Sequence, residues 1–213
     1  LPDFPAEIRA PAGTLPGVSA FQIHFADHDI MTPGDKPDVL VAMNPAALKA
    51  NIGDLDRGGT IIVNTDEFTK RAVAKVGYDT DPLTDGSLDS FSVHPIPLTS
   101  LTVGALESFD ISKKEAERAK NMFSLGLLSW LYDRPMEQTR AFLTEKFGKK
   151  PVILAANLAA LEAGWSFGET TETFAVQYEV RQAEVPAGTY RNITGNLALS
   201  YGLVAAARRS GLP

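Results

Sequence analysis

The chain has 213 residues, 44% of them hydrophobic and 22% charged, with no cysteine. That length supports one substantial core with some chain to spare, and no apolar run approaches the ~18 residues of a membrane span, so no membrane partner is expected. A net charge of -6 gives no electrostatic footprint for nucleic acid, and the absence of thiols excludes disulfides and cysteine-ligated zinc or iron–sulfur clusters.

The opening "LPDFPAEIRAPAGTLPG" carries four prolines and two glycines and is expected to be an irregular loop. "VSAFQIHFA" follows, whose β-branched and aromatic residues predict a strand over 18–25. "DVLVAM" over 38–43 predicts a buried strand, then a helix over 45–55, a turn at "DRGG" and a second buried strand over 60–63. Strand, helix and strand in so short a span form a βαβ unit, and all-apolar strands fit a parallel sheet covered on both faces. Pro45 suits a first helical turn, where its missing N–H has no intrahelical partner, and Asn44 is the expected N-cap.

A further helix is predicted over 66–75. "GYDTDPLTDGSLDS" then reads as loop and "FSVHPIPL" as an extended segment broken by prolines. "SKKE" is a capping box of Ser112 and Glu115, opening a helix that continues through "AERAKNMFSLGLLSWLYD". Helices over 136–147, ending at Gly148, and over 152–163 come next, followed by an alternating stretch "ETFAVQYEV" predicted as a strand. "RQAEVPAGTY" has a linker's composition, and the last helix, over 196–209, is apolar on nearly every face. Such a helix needs neighbours on all sides. It is expected to be the first element of a domain whose remainder lies beyond this chain, just as the opening, with Leu1 first, looks cut.

Several constellations invite chemistry. "HFADHDI" gathers His24, Asp27, His28 and Asp29, a set that suits zinc or iron and equally a strand end running into a polar turn; with only His94 elsewhere, no metal site is expected. "DTDPLTDGSLD" resembles a calcium loop, but Leu83 replaces an oxygen ligand. Because ligands of open α/β sheets bind beyond the carboxyl ends of the strands, Asn44 and the Asn64, Thr65, Asp66 run are candidates to line a crevice, although capping explains Asn44 as well. Glu7 and Arg9 lie in the stiff "PAEIRAPAG" loop, where Arg9 either forks onto a phosphate or pairs with Glu7 at the surface.

"DVLVAMNPAAL", "GGTIIVNTDEF", "NMFSLGLLSWLYDRP" and "TYRNITGNLALSYGLVAAA", in that order, resemble the α subunit of 2-oxoacid:ferredoxin oxidoreductases, particularly those acting on 2-oxoglutarate. The resemblance implies an α/β fold. Residues 1–184 would form a γ-type domain, a Rossmann-like parallel sheet with flanking helices that lacks its Gly-rich first unit, and residues 185–213 a linker and the first helix of the following thiamine-pyrimidine-type domain.

It also implies an enzyme that oxidatively decarboxylates 2-oxoglutarate to succinyl-CoA and passes electrons to ferredoxin, working in the cytoplasm in central carbon metabolism as a hetero-oligomer. Thiamine diphosphate, Mg²⁺ and a 4Fe–4S cluster would sit in the partner β subunit. Coenzyme A would meet a partial site here, with Glu7, Arg9, Asn44 and Asn64 as its candidate residues. No catalytic residue transfers to this chain. The alternative is a non-catalytic α/β module that scaffolds a partner enzyme.

Overall fold

The structure, a computed structural model, describes residues 2–3, 10–30, 36–191 and 193–211. The chain divides into two compact units, residues 1–182 and 183–213.

The first unit is built on a parallel sheet of three strands in the order β3 (Val39–Ala42), β4 (Thr60–Asn64) and β5 (Ser92–Ile96). Registers run from Val39 opposite Thr60 and from Thr60 opposite Ser92. All five residues of central β4 are buried, as a strand covered on both faces must be. Its alternation sorts the core. Ile61 and Val63 join Ala42, Leu48, Phe68 and Val73 on one face, under α1 (Pro45–Asn51) and α2 (Lys70–Lys75), while Ile62 joins Ile96, Leu98, Phe123, Leu127 and Leu131 on the other. That second face is covered by α3 (Leu98–Ala105), α5 (Lys120–Leu131) and α7 (Pro151–Thr170), with α4 (Lys113–Arg118) and α6 (Glu137–Phe147) packed outside.

Pro95 lies within β5, where a proline is tolerated because the strand is at the edge. The Ser92 N–H donates to the Gly59 carbonyl, so alternation turns Pro95 outward, away from β4.

Several expectations are corrected. Only Ala20–Phe21 of the predicted 18–25 strand pairs, as β2 against β1 (Pro2–Asp3). The predicted 66–75 helix begins at Lys70, after a 3-10 turn, with Thr69 as its N-cap. The extended segment 91–98 holds strand β5, and directly after it a helix, α3, occupies 98–105, for which no element was predicted. The Ser112–Glu115 capping box is present, with both reciprocal bonds, but the helix it opens breaks at Ala119 into α4 and α5. Helix α6 does end at Gly148 as expected, with that glycine in right-handed geometry. Helix α7 runs to Thr170, well past 163, and the "ETFAVQYEV" stretch adopts no regular structure, the Tyr178 N–H going to the Leu131 carbonyl of α5 rather than to a strand.

The long gap between expectation and observation in α7 has a steric reason. A Cβ on Gly164 would meet the Phe123 carbonyl oxygen at 1.9 Å, and one on Gly126 would meet that of Leu161 at 1.9 Å. The glycines that look like breakers are seats that let α5 and α7 touch backbone to backbone. Helix α5 ends with Asp133 in the left-handed conformation, φ 46°, and the Arg134 N–H donating to the Ser129 carbonyl, a Schellman-type stop followed by Pro135.

The second unit contains α8 (Gly195–Ser210), capped by the Thr194 side chain, with no buried residue.

Candidate functional site

The carboxyl ends of the parallel strands form one ledge. Asn44 follows β3 in extended geometry, and its side chain accepts the Ala47 N–H at 2.9 Å, so it caps α1 with Pro45 in the first turn. Asn64 closes β4 with no exposure at all. Its amide nitrogen donates to the Thr99 hydroxyl at 2.9 Å and its carbonyl oxygen accepts the Thr99 N–H at 3.3 Å. Asp66 then accepts the Ser100 N–H and the Ser100 hydroxyl, both at 2.7 Å.

Helix α3 therefore has its first free N–H groups satisfied by the exit of β4. It needs this because Pro97 stands at its N-cap and makes no side-chain cap. Lys120, opening α5, pairs with Glu67 at 2.7 Å, which ties a second helix to the same strand exit. The polar side chains of the ledge answer one another.

The structure brings Asn44 and Asn64 to this one edge and occupies both in local bonding; Glu7 and Arg9 lie outside the described residues. The "HFADHDI" residues do not converge. Asp27 and His28 pair with each other at 3.0 Å on the surface, and the hydrogen bond to His28 holds the Asp27 carboxyl below its ordinary range. Among the described residues no group of three or more His, Asp or Glu side chains could hold a metal ion. In the calcium-like stretch, Asp81 accepts the Leu83 N–H at 3.0 Å and Asp85 accepts the Ser87 N–H at 2.9 Å, so these carboxylates close turns.

Residues without a local signal complete the picture. Thr99, Ser100 and the Glu67–Lys120 pair escape sequence reasoning because their partners are 34 to 53 positions away. At the opposite, amino edge, residues 171–180 form a strap. The Thr173 carbonyl accepts from His94 Nδ1 at 2.9 Å, which fixes the tautomer and leaves Nε2 to face the Ser92 hydroxyl at 3.2 Å. Phe174 stacks on the His94 ring at 4.4 Å. Burial pushes the His94 pKa down. Beyond it, Gln177 donates to the Trp130 carbonyl at 2.6 Å, the Tyr178 N–H to that of Leu131 at 2.7 Å, and Tyr178 stacks on Tyr132, whose phenol burial pushes up to about 12. A cavity of about 100 Å³ lies under this strap beside Thr60 and His94. A wider hollow of about 340 Å³ opens beside Leu83, Asp89 and Val93.

The family model described as pyruvate ferredoxin/flavodoxin oxidoreductase matches residues 1–167. Over 212 residues the chain is 62% identical to the 2-oxoglutarate oxidoreductase subunit KorA of Mycobacterium tuberculosis, an alignment covering 100% of this chain and 32% of that protein. The chain thus spans about a third of the length of this curated relative. Among solved structures it is similar to the 2-oxoglutarate:ferredoxin oxidoreductase from Magnetococcus marinus with 2-oxoglutarate, coenzyme A and succinyl-CoA bound. The TM-score is 0.53 and the identity 25%, over 74% of this chain and 24% of that one.

Proposed function

Because the chain belongs to the pyruvate ferredoxin/flavodoxin oxidoreductase family, we propose that it is part of the α subunit of a 2-oxoglutarate:ferredoxin oxidoreductase. The observation that carries this reading is 62% identity to a 2-oxoglutarate oxidoreductase subunit along the whole chain. In the proposed reaction the bond between the carboxylate and the keto carbon of 2-oxoglutarate breaks, carbon dioxide leaves and the acyl group joins the sulfur of coenzyme A. The thiol proton is released and the electron pair departs to ferredoxin.

This chain's share is binding and orientation. It has no cysteine, so its side chains do not fit an iron–sulfur cluster, which the reading assigns to the β subunit with thiamine diphosphate and Mg²⁺. Residues 1–184 are assigned to the γ-type domain and 185–213 to the start of the next, both in a cytoplasmic hetero-oligomer. No helix among the described residues is long and apolar enough to cross a membrane.

Coenzyme A is assigned to the opening loop. Its pyrophosphate and 3′-phosphate suit the planar five-donor fork of Arg9, oriented by Glu7, better than the point charge of a lysine. Asn44 and Asn64, the other two candidates, hold α1 and α3 in place at the carboxyl ledge, since their side chains are already bonded there.

The test is Arg9→Ala in the assembled enzyme. Charge-assisted hydrogen bonds contribute about 1.5–3 kcal/mol, so KM for coenzyme A should rise about ten- to a hundredfold with KM for 2-oxoglutarate unchanged. An unchanged KM for coenzyme A would reduce Arg9 to a surface ion pair.

A further inference from the structure

Residues 10–18, the described end of the opening loop, fold back on themselves. The Pro11 carbonyl accepts the Thr14 N–H at 3.2 Å and the Thr14 hydroxyl at 2.6 Å, and Gly13 takes the left-handed conformation, φ 74°. A Cβ on Gly17 would collide with the Pro11 carbonyl oxygen, and the 3-10 turn Leu15–Gly17 packs against α1. One side chain reaches this turn from far along the chain. Lys75, in the last turn of α2, donates to the Ala12 carbonyl at 2.8 Å across 63 positions of sequence. A Cβ on Gly13 would lie 3.7 Å from the same ammonium, so the turn folds directly over it.

The helix that carries Lys75 is itself tied down. Lys49, in the last turn of α1, donates to the Val76 carbonyl at 2.9 Å and to that of Gly77 at 2.7 Å, and its ammonium lies 4.7 Å from the centre of the Tyr78 ring. Cations suit these positions, because the last carbonyls of a helix have no intrahelical donor. The two lysines therefore act in series: Lys49 fixes the end of α2, and Lys75 fixes the loop to it. Among the described residues no carboxylate lies within ion-pair distance of Lys75, so the carbonyl bond is the contact it makes.

We propose that Lys75 is a positioning residue for coenzyme A, acting through the opening loop. The proposal rests on the reading that assigns coenzyme A to Arg9. From Ala12 back to Arg9 is a step of three residues, at most about 11 Å of extended chain, so whatever fixes the Ala12 carbonyl limits where the Arg9 guanidinium can be delivered. A loop held before its ligand arrives loses less conformational freedom on binding, and that saving is what Lys75 contributes.

The experiment uses the assembled enzyme with Lys75→Met, Lys75→Arg, Arg9→Ala and the Lys75→Met, Arg9→Ala pair. KM for coenzyme A should rise about three- to tenfold in Lys75→Met, as the loss of one exposed hydrogen bond predicts, with kcat at saturating coenzyme A and KM for 2-oxoglutarate unchanged. Lys75→Arg should restore it. Because Lys75 acts through Arg9, Lys75→Met should add little once Arg9 is already alanine. An unchanged KM for coenzyme A in Lys75→Met, a rise in both KM values, or the same fold-increase with and without Arg9 would overturn the proposal.

If Arg9→Ala alone leaves KM for coenzyme A unchanged, or the unsubstituted enzyme does not turn over 2-oxoglutarate, the functional reading fails by itself. Amide exchange then decides Lys75. Coenzyme A should slow exchange across residues 10–18 in the unsubstituted complex, and severalfold more of it should be needed in Lys75→Met. No slowing, or the same concentration dependence in both complexes, sinks the proposal.

Discussion

Helices α7 and α8 are both apolar along most of their length, yet α7 buries Ala156, Ala160, Leu161, Gly164 and Gly168, whereas α8 buries none of its 16 residues. Leu199 and Leu203 of α8 are each 64% exposed. Apolar composition alone does not make a core helix. What distinguishes α7 is shape, because its glycines face the backbone of α5 and a ring of Trp130, while Gly202 in α8 has nothing within 4 Å. A helix with that much uncovered apolar surface is marginal in water, so α8 is expected to be stable only against other protein.

The sharpest way to break this contrast is to add the same side chain to both helices. Gly164→Leu should cost about 3 kcal/mol, since its Cβ would already collide with the Phe123 carbonyl and only a separation of α5 from α7 can make room. Melting temperature should fall by about 6–12 °C. Gly202→Leu should leave the same transition within about 0.5 kcal/mol. Equal losses at the two glycines would mean that α8 is packed after all.

Next in size is Asn64→Ala, which tests whether the sheet unit is held by polar bonding as well as by fit. The substitution opens a fully buried position and leaves the half-buried Thr99 N–H and hydroxyl without their partner, at a cost of about 1–3 kcal/mol. Denaturant unfolding would show it as a lower midpoint at an unchanged slope. No shift would mean that water replaces the amide and that the ledge is less closed than its geometry indicates.

A smaller effect of opposite sign is expected in α8. Gly202→Ala should raise its helix content, by up to about 1 kcal/mol of propensity, because the position is exposed and open. Amide exchange within 195–210 should be fast in the chain alone and slow in the assembled enzyme. Equal protection in the two states would remove the need for a partner.

The same contrast marks what could be read from the sequence. The β3–α1–β4 unit was legible because its signals are local: all-apolar strands, Pro45 in a first turn, Asn44 before it. So was the Ser112–Glu115 box. Helix α3 was not, since its cap comes from Asn64 and Asp66 rather than from its own flank, and the prolines around it suggest an extended chain. The strap of 171–180 alternates like a strand, but its hydrogen bonds go to the end of α5, which no periodicity reports. At the candidate site the position of Asn44 and Asn64 followed from the parallel topology, while the partners that occupy Asn64 and Asp66 depend on a helix that was not foreseen.

The subtlest expected effect concerns the strap, the last part of the first unit before the chain enters the second. His94 is partly buried against Phe174, and that burial lowers its pKa below the ordinary 6.5 even though the bond to the Thr173 carbonyl acts the other way. The unfolded chain therefore binds a proton that the folded chain resists, and the sign follows: stability is complete above pH 6.5 and declines as the pH falls from 6.5 towards the depressed folded value. Partial exposure keeps the effect small. His94→Gln removes the titration while keeping a donor of similar reach, so the variant should lose less stability than the unsubstituted chain between pH 6.5 and the acid end of that window. The loosening should also appear first as faster amide exchange at Tyr178, whose N–H is bonded to Leu131. Parallel pH profiles for the two proteins would show that the strap is held by its aromatic stacking and by the Gln177 and Tyr178 bonds to α5, without a contribution from His94 titration.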